Sequence, residues 1–259
     1  MSLRQTFVTA IMVVLLAVMG YSGFRLWDIY SNRASERVLH EQLLIFRPTM
    51  PYVQPEMDDT DETQPVLQSE SHAGVINQGV IDLQEIYPSV VGWLTVPGTA
   101  VDHPFVQASN NSFYLHRDIN HNNSPAGTVF MDSRNCSDFT DFNTLIYGHN
   151  MRNGSMFGTL REFHNRQFFD DNESMYVFLP YRTYAMDILA IAVIQPNDPV
   201  IYGLDIETDE DKTYFVNYVR RIAQHHRDIV VTPDDRVVTL STCRNDAANL
   251  RMVLIGVIR

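Results

Sequence analysis

The sequence ends in two β-forming runs joined by a short polar stretch, VVTLSTCRNDAANLRMVLIGVIR, and this tail constrains the fold more than any other segment. Residues 237–242 alternate β-branched and small side chains, and residues 252–258 form a nearly continuous apolar run of the kind a buried strand shows. Between them, residues 244–250 carry Asn245, Asp246 and Asn249 and read as a connecting loop. If the two runs pair antiparallel, Cys243 and Arg251 face each other across the mouth of that loop. A thiol beside a permanent cation is the first place to look for chemistry.

The remainder of the chain is long enough, at 259 residues, for one sizeable core plus an appendage, or for two small domains. Its net charge of −12 argues against a general nucleic-acid binder, which carries the opposite sign. Between Arg4 and Arg25 lie twenty uncharged residues, QTFVTAIMVVLLAVMGYSGF. That is about the 20 residues a helix needs to cross a bilayer. A cleaved signal peptide is the rival reading, but Ala17-Val18-Met19 is a poor cleavage site, and Tyr21, Phe24 and Trp27 suit an interface. The expectation is an uncleaved anchor over 1–27, with the rest of the chain outside the cytoplasm. Residues 28–74 read as a juxtamembrane helix followed by a linker punctuated by Pro48, Pro51, Pro55 and Pro65 and carrying an acidic run. Residues 75–259 then form the globular domain.

Within that domain, residues 82–87 are a short helical candidate stopped by Pro88. VVGWLTVPGTAVDHPFVQ reads as two strands about a Pro97-Gly98 turn, and AGTVFMD, NTLIYGHN, MYVFLP and YAMDILAIAVIQP as further strands. One long helical pattern covers residues 211–226, with Phe215, Tyr218, Val219 and Ile222 on one face. Thr208 and Asp211 resemble a capping box at its start. Many short strands with few helices predict a closed or nearly closed β-barrel with peripheral helices.

Two cysteines, Cys136 and Cys243, leave a disulfide open, at the cost of any thiol chemistry at Cys243. Of nine histidines, His225 and His226 fall near the end of the long helical pattern. His40, His116, His121 and His164 sit in polar contexts with no strand-end placement, His72 falls in the linker, and His103 precedes Pro104 in an early turn. His149 differs: it follows the strand 144–147 and Gly148, where a barrel strand opens into a loop. No HxxxH or CxxC spacing supports a metal site, and no glycine-rich phosphate loop is present, so neither metal nor organic cofactor is expected.

LIYGHNM, followed about ninety residues later by TLSTC and then by an arginine opening the last strand, resembles the sortases. The resemblance extends through GWLTVPGT, HPFVQASNNSFYL, GTVFMDSRN and GSMFGTL, and the long helix ahead of the cysteine strand is similar to class B members. It implies an eight-stranded closed barrel and a membrane-anchored cysteine transpeptidase of the Gram-positive cell envelope, with its catalytic domain outside the membrane. Such an enzyme cleaves a C-terminal sorting signal of secreted proteins through a thioacyl intermediate. It then passes the protein to an amine acceptor, a peptidoglycan cross-bridge precursor or a pilin lysine. A thiol endopeptidase that hydrolyses the intermediate is the alternative on the same scaffold. By resemblance Cys243 is the nucleophile, His149 the general acid/base and Arg251 the substrate-orienting cation. Asn111, Ser241 and Thr242 fall on the substrate side. Arg244 is a second basic candidate, and Cys136 matches no functional position.

Overall fold

The two C-terminal runs form the centre of the fold. In the computed structural model, which describes residues 3–50, 72–73, 75–243 and 250–258, strand β9 (Arg236–Cys243) pairs antiparallel with β10 (Arg251–Ile258) from Arg251↔Cys243 to Ile258↔Arg236. β10 is apolar on both faces because both are covered. Met252 and Leu254 enter the barrel interior with Val238 and Leu240, while Val253, Ile255 and Val257 enter a second apolar layer with Phe215, Val216 and Val219 of helix α4 (Asp209–Ile222). Alternating faces on a strand with two apolar surroundings give a continuous hydrophobic run.

Eight strands close the barrel. Besides β9 and β10 these are β2 (Val90–Thr95), β3 (Asp102–Val106), β4 (Phe130–Met131), β5 (Asn143–Tyr147), β6 (Ser174–Leu179) and β7 (Arg182–Ile194). They run in the order β7-β10-β9-β5-β4-β3-β2-β6, and the β6–β7 hairpin joins the ends. The β3–β4 and β5–β9 pairs are parallel and the others antiparallel, so the expected eight-stranded barrel is a mixed one. Full closure leaves the barrel no unpaired edge. Two short strands lie off this ring, both paired to β7: β1 (His72–Ala73) and β8 (Ala223–His226). The turn between β2 and β3 holds Gly98 at φ 76°, the left-handed region in which a glycine costs nothing.

Some local expectations are corrected by pairing. His225 and His226 do not end the long helix. α4 stops at Ile222, and the next four residues pair with β7, where the His225 ring reaches the carbonyl of His164 at 2.9 Å. His103 lies inside β3 and is buried, and His72 belongs to β1. The capping box is present: Thr208 accepts from the Asp211 backbone, and Asp211 accepts from that of Thr208. Helix α2 (Gln78–Ile86) begins four residues before its expected start, and α3 (Arg166–Asp171) is an additional short helix.

Contacts divide the chain into two units, Met1–Gln42 and Leu43–Arg259. The first is nearly all of α1 (Leu3–Leu43), a single 41-residue helix that runs on past residue 27 and ends in a short 3₁₀ turn ahead of Pro48. It is long and apolar enough to cross a membrane, with Val13, Leu15, Leu16, Val18 and Phe24 exposed. Most of the Pro-rich acidic linker lies outside the described residues.

Leu254, fully buried at the middle of β10, tests the barrel core. Leu254→Ala is expected to cost about 2–5 kcal/mol, read by equilibrium denaturation of the full chain in mild detergent. A loss below about 1 kcal/mol would contradict its place in a close-packed interior.

Candidate active site

Three adjacent strand ends bring the candidate residues together. β5 runs parallel to β9 with Tyr147 opposite Ser241, and the Gly148 amide donates to the Ser241 carbonyl at 3.2 Å. β5 ends at Tyr147, and His149 follows it past Gly148, as Cys243 follows Ser241 by two residues at the end of β9. On the other side of β9, Cys243 pairs with Arg251, as the antiparallel reading of the tail required. β5, β9 and β10 are thus neighbours at this rim, with His149 just past the end of β5 and Cys243 and Arg251 paired on β9 and β10. The side chain of Cys243, the loop 244–249 and with it Arg244 lie outside the described residues.

His149 is fixed at both its backbone and its ring. Its carbonyl accepts from the Phe157 amide at 3.0 Å, closing a loop whose Gly154 has φ 85°. A Cβ on Gly148 would meet the Phe157 ring at 2.7 Å, so only glycine lets β5 pass this close. Its Nε2 lies 2.7 Å from the carbonyl oxygen of Leu115. A carbonyl only accepts, so Nε2 carries the hydrogen and Nδ1 is the basic nitrogen of the neutral ring. The His116 ring, from the same turn as Leu115, stacks on that of His149 with centroids 5.6 Å apart and planes at 29°. Burial lowers the His149 pKa below its usual value, and the charge of His116 pushes the same way against the opposing effect of the Leu115 hydrogen bond.

Beside the triad, a buried polar brace ties β5 to β9. Asp132 is wholly buried and accepts two bonds from the Arg134 guanidinium, at 2.9 and 2.8 Å, and one from the Tyr147 hydroxyl at 2.9 Å. Burial alone would raise this carboxyl's pKa, but the bonds from Arg134 and Tyr147 hold it below the usual carboxylate range. Burial, with the Asp132 charge behind it, pushes Tyr147 upward and keeps its phenol a donor. Tyr147 stacks on Tyr202, whose hydroxyl meets the Ser241 hydroxyl at 2.8 Å, and Arg134 also donates to the Tyr202 carbonyl.

Ser241 and Thr242 are each 2% exposed, so their side chains are closed off from solvent behind the site. Asn111 accepts a 2.7 Å bond from the Ser133 amide, next in the chain to Asp132. Cys136 is exposed and free. The sequence reading set His116 aside with the histidines in polar contexts and gave Tyr147, Asp132, Arg134 and Tyr202 no role. Only the YGH and DSR strings hinted at three of them, and their contacts span long stretches of chain. Among the described residues no group of three or more His, Cys, Asp or Glu could hold a metal. A cavity of about 740 Å³, lined by Val90, Asp138, Tyr181 and Arg182 among others, includes none of the triad. Arg182 opens β7, whereas Arg251 pairs with Ile194 at that strand's other end.

The fold is a closed mixed barrel with peripheral helices, and comparison with known proteins gives its family. Residues 94–258 match the family model of the sortase domain, and the chain belongs to the sortase family. It is a cysteine transpeptidase of class B type, from a family associated with the cell envelope. Sortase B of Listeria monocytogenes is 28% identical over 99% of this chain and 98% of its own length. The crystal structure of sortase B from B. anthracis in complex with AAEK1 superposes with a TM-score of 0.72 at 25% identity, covering 88% of this chain and 98% of that one. A Staphylococcus aureus sortase B–substrate complex gives 0.66 at 27% identity, covering 73% and 86%.

The lowered pKa of His149 has a measurable sign. The unfolded chain binds this proton more readily than the folded one, so the site's contribution to stability is whole above pH 6.5 and is lost as pH falls through the lower folded value. NMR titration of the ¹³C-labelled His149 ring is expected to give a midpoint below 6.5 in the folded protein. A midpoint at or above 6.5 would contradict a ring buried in its neutral form.

Proposed function

We propose that the protein is a membrane-anchored sortase whose Cys243 cleaves a C-terminal sorting signal and hands the acyl group to an amine. The observation that supports this reading is the strand register, Tyr147 opposite Ser241 and Cys243 opposite Arg251, which is consistent with a base and a cation flanking the thiol. α1 supplies a single-pass anchor, with the linker and the catalytic domain of residues 75–259 outside the membrane. The S. aureus relative is described as a substrate complex, which supports a sorting-motif peptide as the ligand of this protein.

In the first half-reaction the Cys243 sulfur attacks the threonyl carbonyl carbon of the sorting signal. Nδ1 of His149 takes the Cys243 thiol proton as the sulfur attacks, the C–N bond breaks, and that proton passes to the leaving amine. In the second, an incoming amine attacks the thioacyl carbon and gives its proton to His149, and the thiolate leaves. Bond for bond, one amide is exchanged for another. The Nε2–H···O=C bond to Leu115 leaves Nδ1 as the nitrogen that carries this proton. The Arg251 guanidinium orients the substrate carbonyl and supports the oxyanion. Ser241 and Thr242 act on the peptide through their backbone and through Tyr202, and Asn111 holds the 133 turn at the edge of the groove.

Intact-mass spectrometry of the full chain in detergent, mixed with NPxTN-like and LPxTG-like peptides with and without an amine acceptor, tests the reading. The expected result is a peptide-sized adduct on Cys243 that turns over to amide product when amine is added. Cys243→Ala should form no adduct. His149→Ala should lower turnover by about 10²–10⁴ and Arg251→Ala by about 10²–10³. Cleavage indifferent to amine would make the protein a thiol endopeptidase, and no adduct on a demonstrably free Cys243 thiol would remove the enzyme reading at this site.

A further inference from the structure

His116 has no counterpart in the proton-transfer scheme above, yet it lies against the residue that scheme turns on. The 3₁₀ turn Tyr114–His116 meets His149 twice, with the Leu115 carbonyl on the edge of the ring and the His116 imidazole on its face. The turn is itself anchored. Tyr114 is 2% exposed and donates to the Ser89 hydroxyl at 2.7 Å, its carbonyl accepts from the Thr128 amide, and the His116 carbonyl accepts from the Ser124 amide. His116 is thus presented by a fixed backbone, although its side chain is exposed.

We propose that His116 is a positioning residue for acyl transfer, acting with the Leu115 carbonyl to hold the His149 ring in one orientation and one tautomer. The proposal rests on the reading of His149 as the proton carrier. An edge contact alone fixes one nitrogen but lets the ring rock about that bond, and a second ring stacked on its face removes the rocking. Near-attack geometry is sensitive to displacements of this size.

The other groups around the pair do not duplicate this role. Tyr147, at the end of β5 two residues before His149, gives its hydroxyl to Asp132. Cys243 and Arg251 occupy the neighbouring strand ends. On the turn's own side, Arg117 lies over the Phe113 ring and donates to the Phe113 carbonyl, while Asp118 accepts from Asn122. Among the described residues, His116 is the titratable side chain whose charge acts on His149.

The test uses the full chain in detergent with His116→Ala, which removes both the stack and the charge, and His116→Phe, which keeps a stacked face and removes the charge. His116→Ala is expected to lower kcat about tenfold with KM within twofold, a modest loss of alignment. It should also broaden or shift the ¹⁵N signals that report the Nε2–H tautomer of His149. His116→Phe should recover most of kcat and the tautomer signature, while the His149 titration midpoint rises in both variants. An unchanged kcat and unchanged His149 spectrum in His116→Ala would overturn the proposal, as would a loss of kcat accompanied only by a lower Tm. His149→Ala separates the two levels of inference: if it still performs transpeptidation the proton-carrier reading fails, whatever the spectra say about the clamp.

Discussion

Everything at the site depends on the hydrogen bonding of β9 to unlike neighbours, parallel β5 on one side and antiparallel β10 on the other. The parallel pairing lets β5 and β9 end at the same rim, and the antiparallel one starts β10 there. Cys243 and Arg251 are paired there in regular strand backbone, and His149 follows directly on the end of β5. A one-residue slip in either ladder would turn a whole strand over and put its apolar set on the wrong face. Here both faces are committed, one to the barrel interior and one to the layer under α4, so the register is held by the core itself.

A second constraint comes from the charge buried next to the rim. Asp132 has no exposure, and a carboxylate there is tolerable only because Arg134 and Tyr147 satisfy it. That satisfaction has a structural by-product. It fixes the Tyr147 ring, Tyr202 packs on it, and the Tyr202 hydroxyl reaches back to Ser241 two residues before Cys243. The His-bearing and Cys-bearing strands are thereby braced by side chains as well as by their backbone ladder.

The same logic of partial burial sets the state of His149. Its ring is shielded enough to favour the neutral form, and it gains a hydrogen bond that selects the Nε2–H tautomer. The bond leaves one basic nitrogen, Nδ1, on a ring held in one orientation. The turn carrying Leu115 and His116 bears on both, with one contact on the edge of the ring and one on its face.

Much of this was legible in the chain. The alternation in residues 237–242 and the apolar run after Arg251 identify two adjoining strands, and their antiparallel pairing puts Cys243 opposite Arg251. The Thr208–Asp211 cap and the helix behind it follow from spacing alone, because capping and amphipathicity are local. The resemblance to sortases pointed to the eight-stranded closure. What the sequence could not decide was set by contacts between distant segments. The four residues after α4 continue a helical pattern yet form β8, since pairing to β7 and the reach of His225 to His164 outweigh local propensity. His116 has no strand-end position and looks like any surface histidine until the fold lays it against His149, 33 residues away in the chain. Local pattern determined the strands and the helix. Only closure of the barrel, which pairs segments far apart in sequence, decided which polar side chains share the rim.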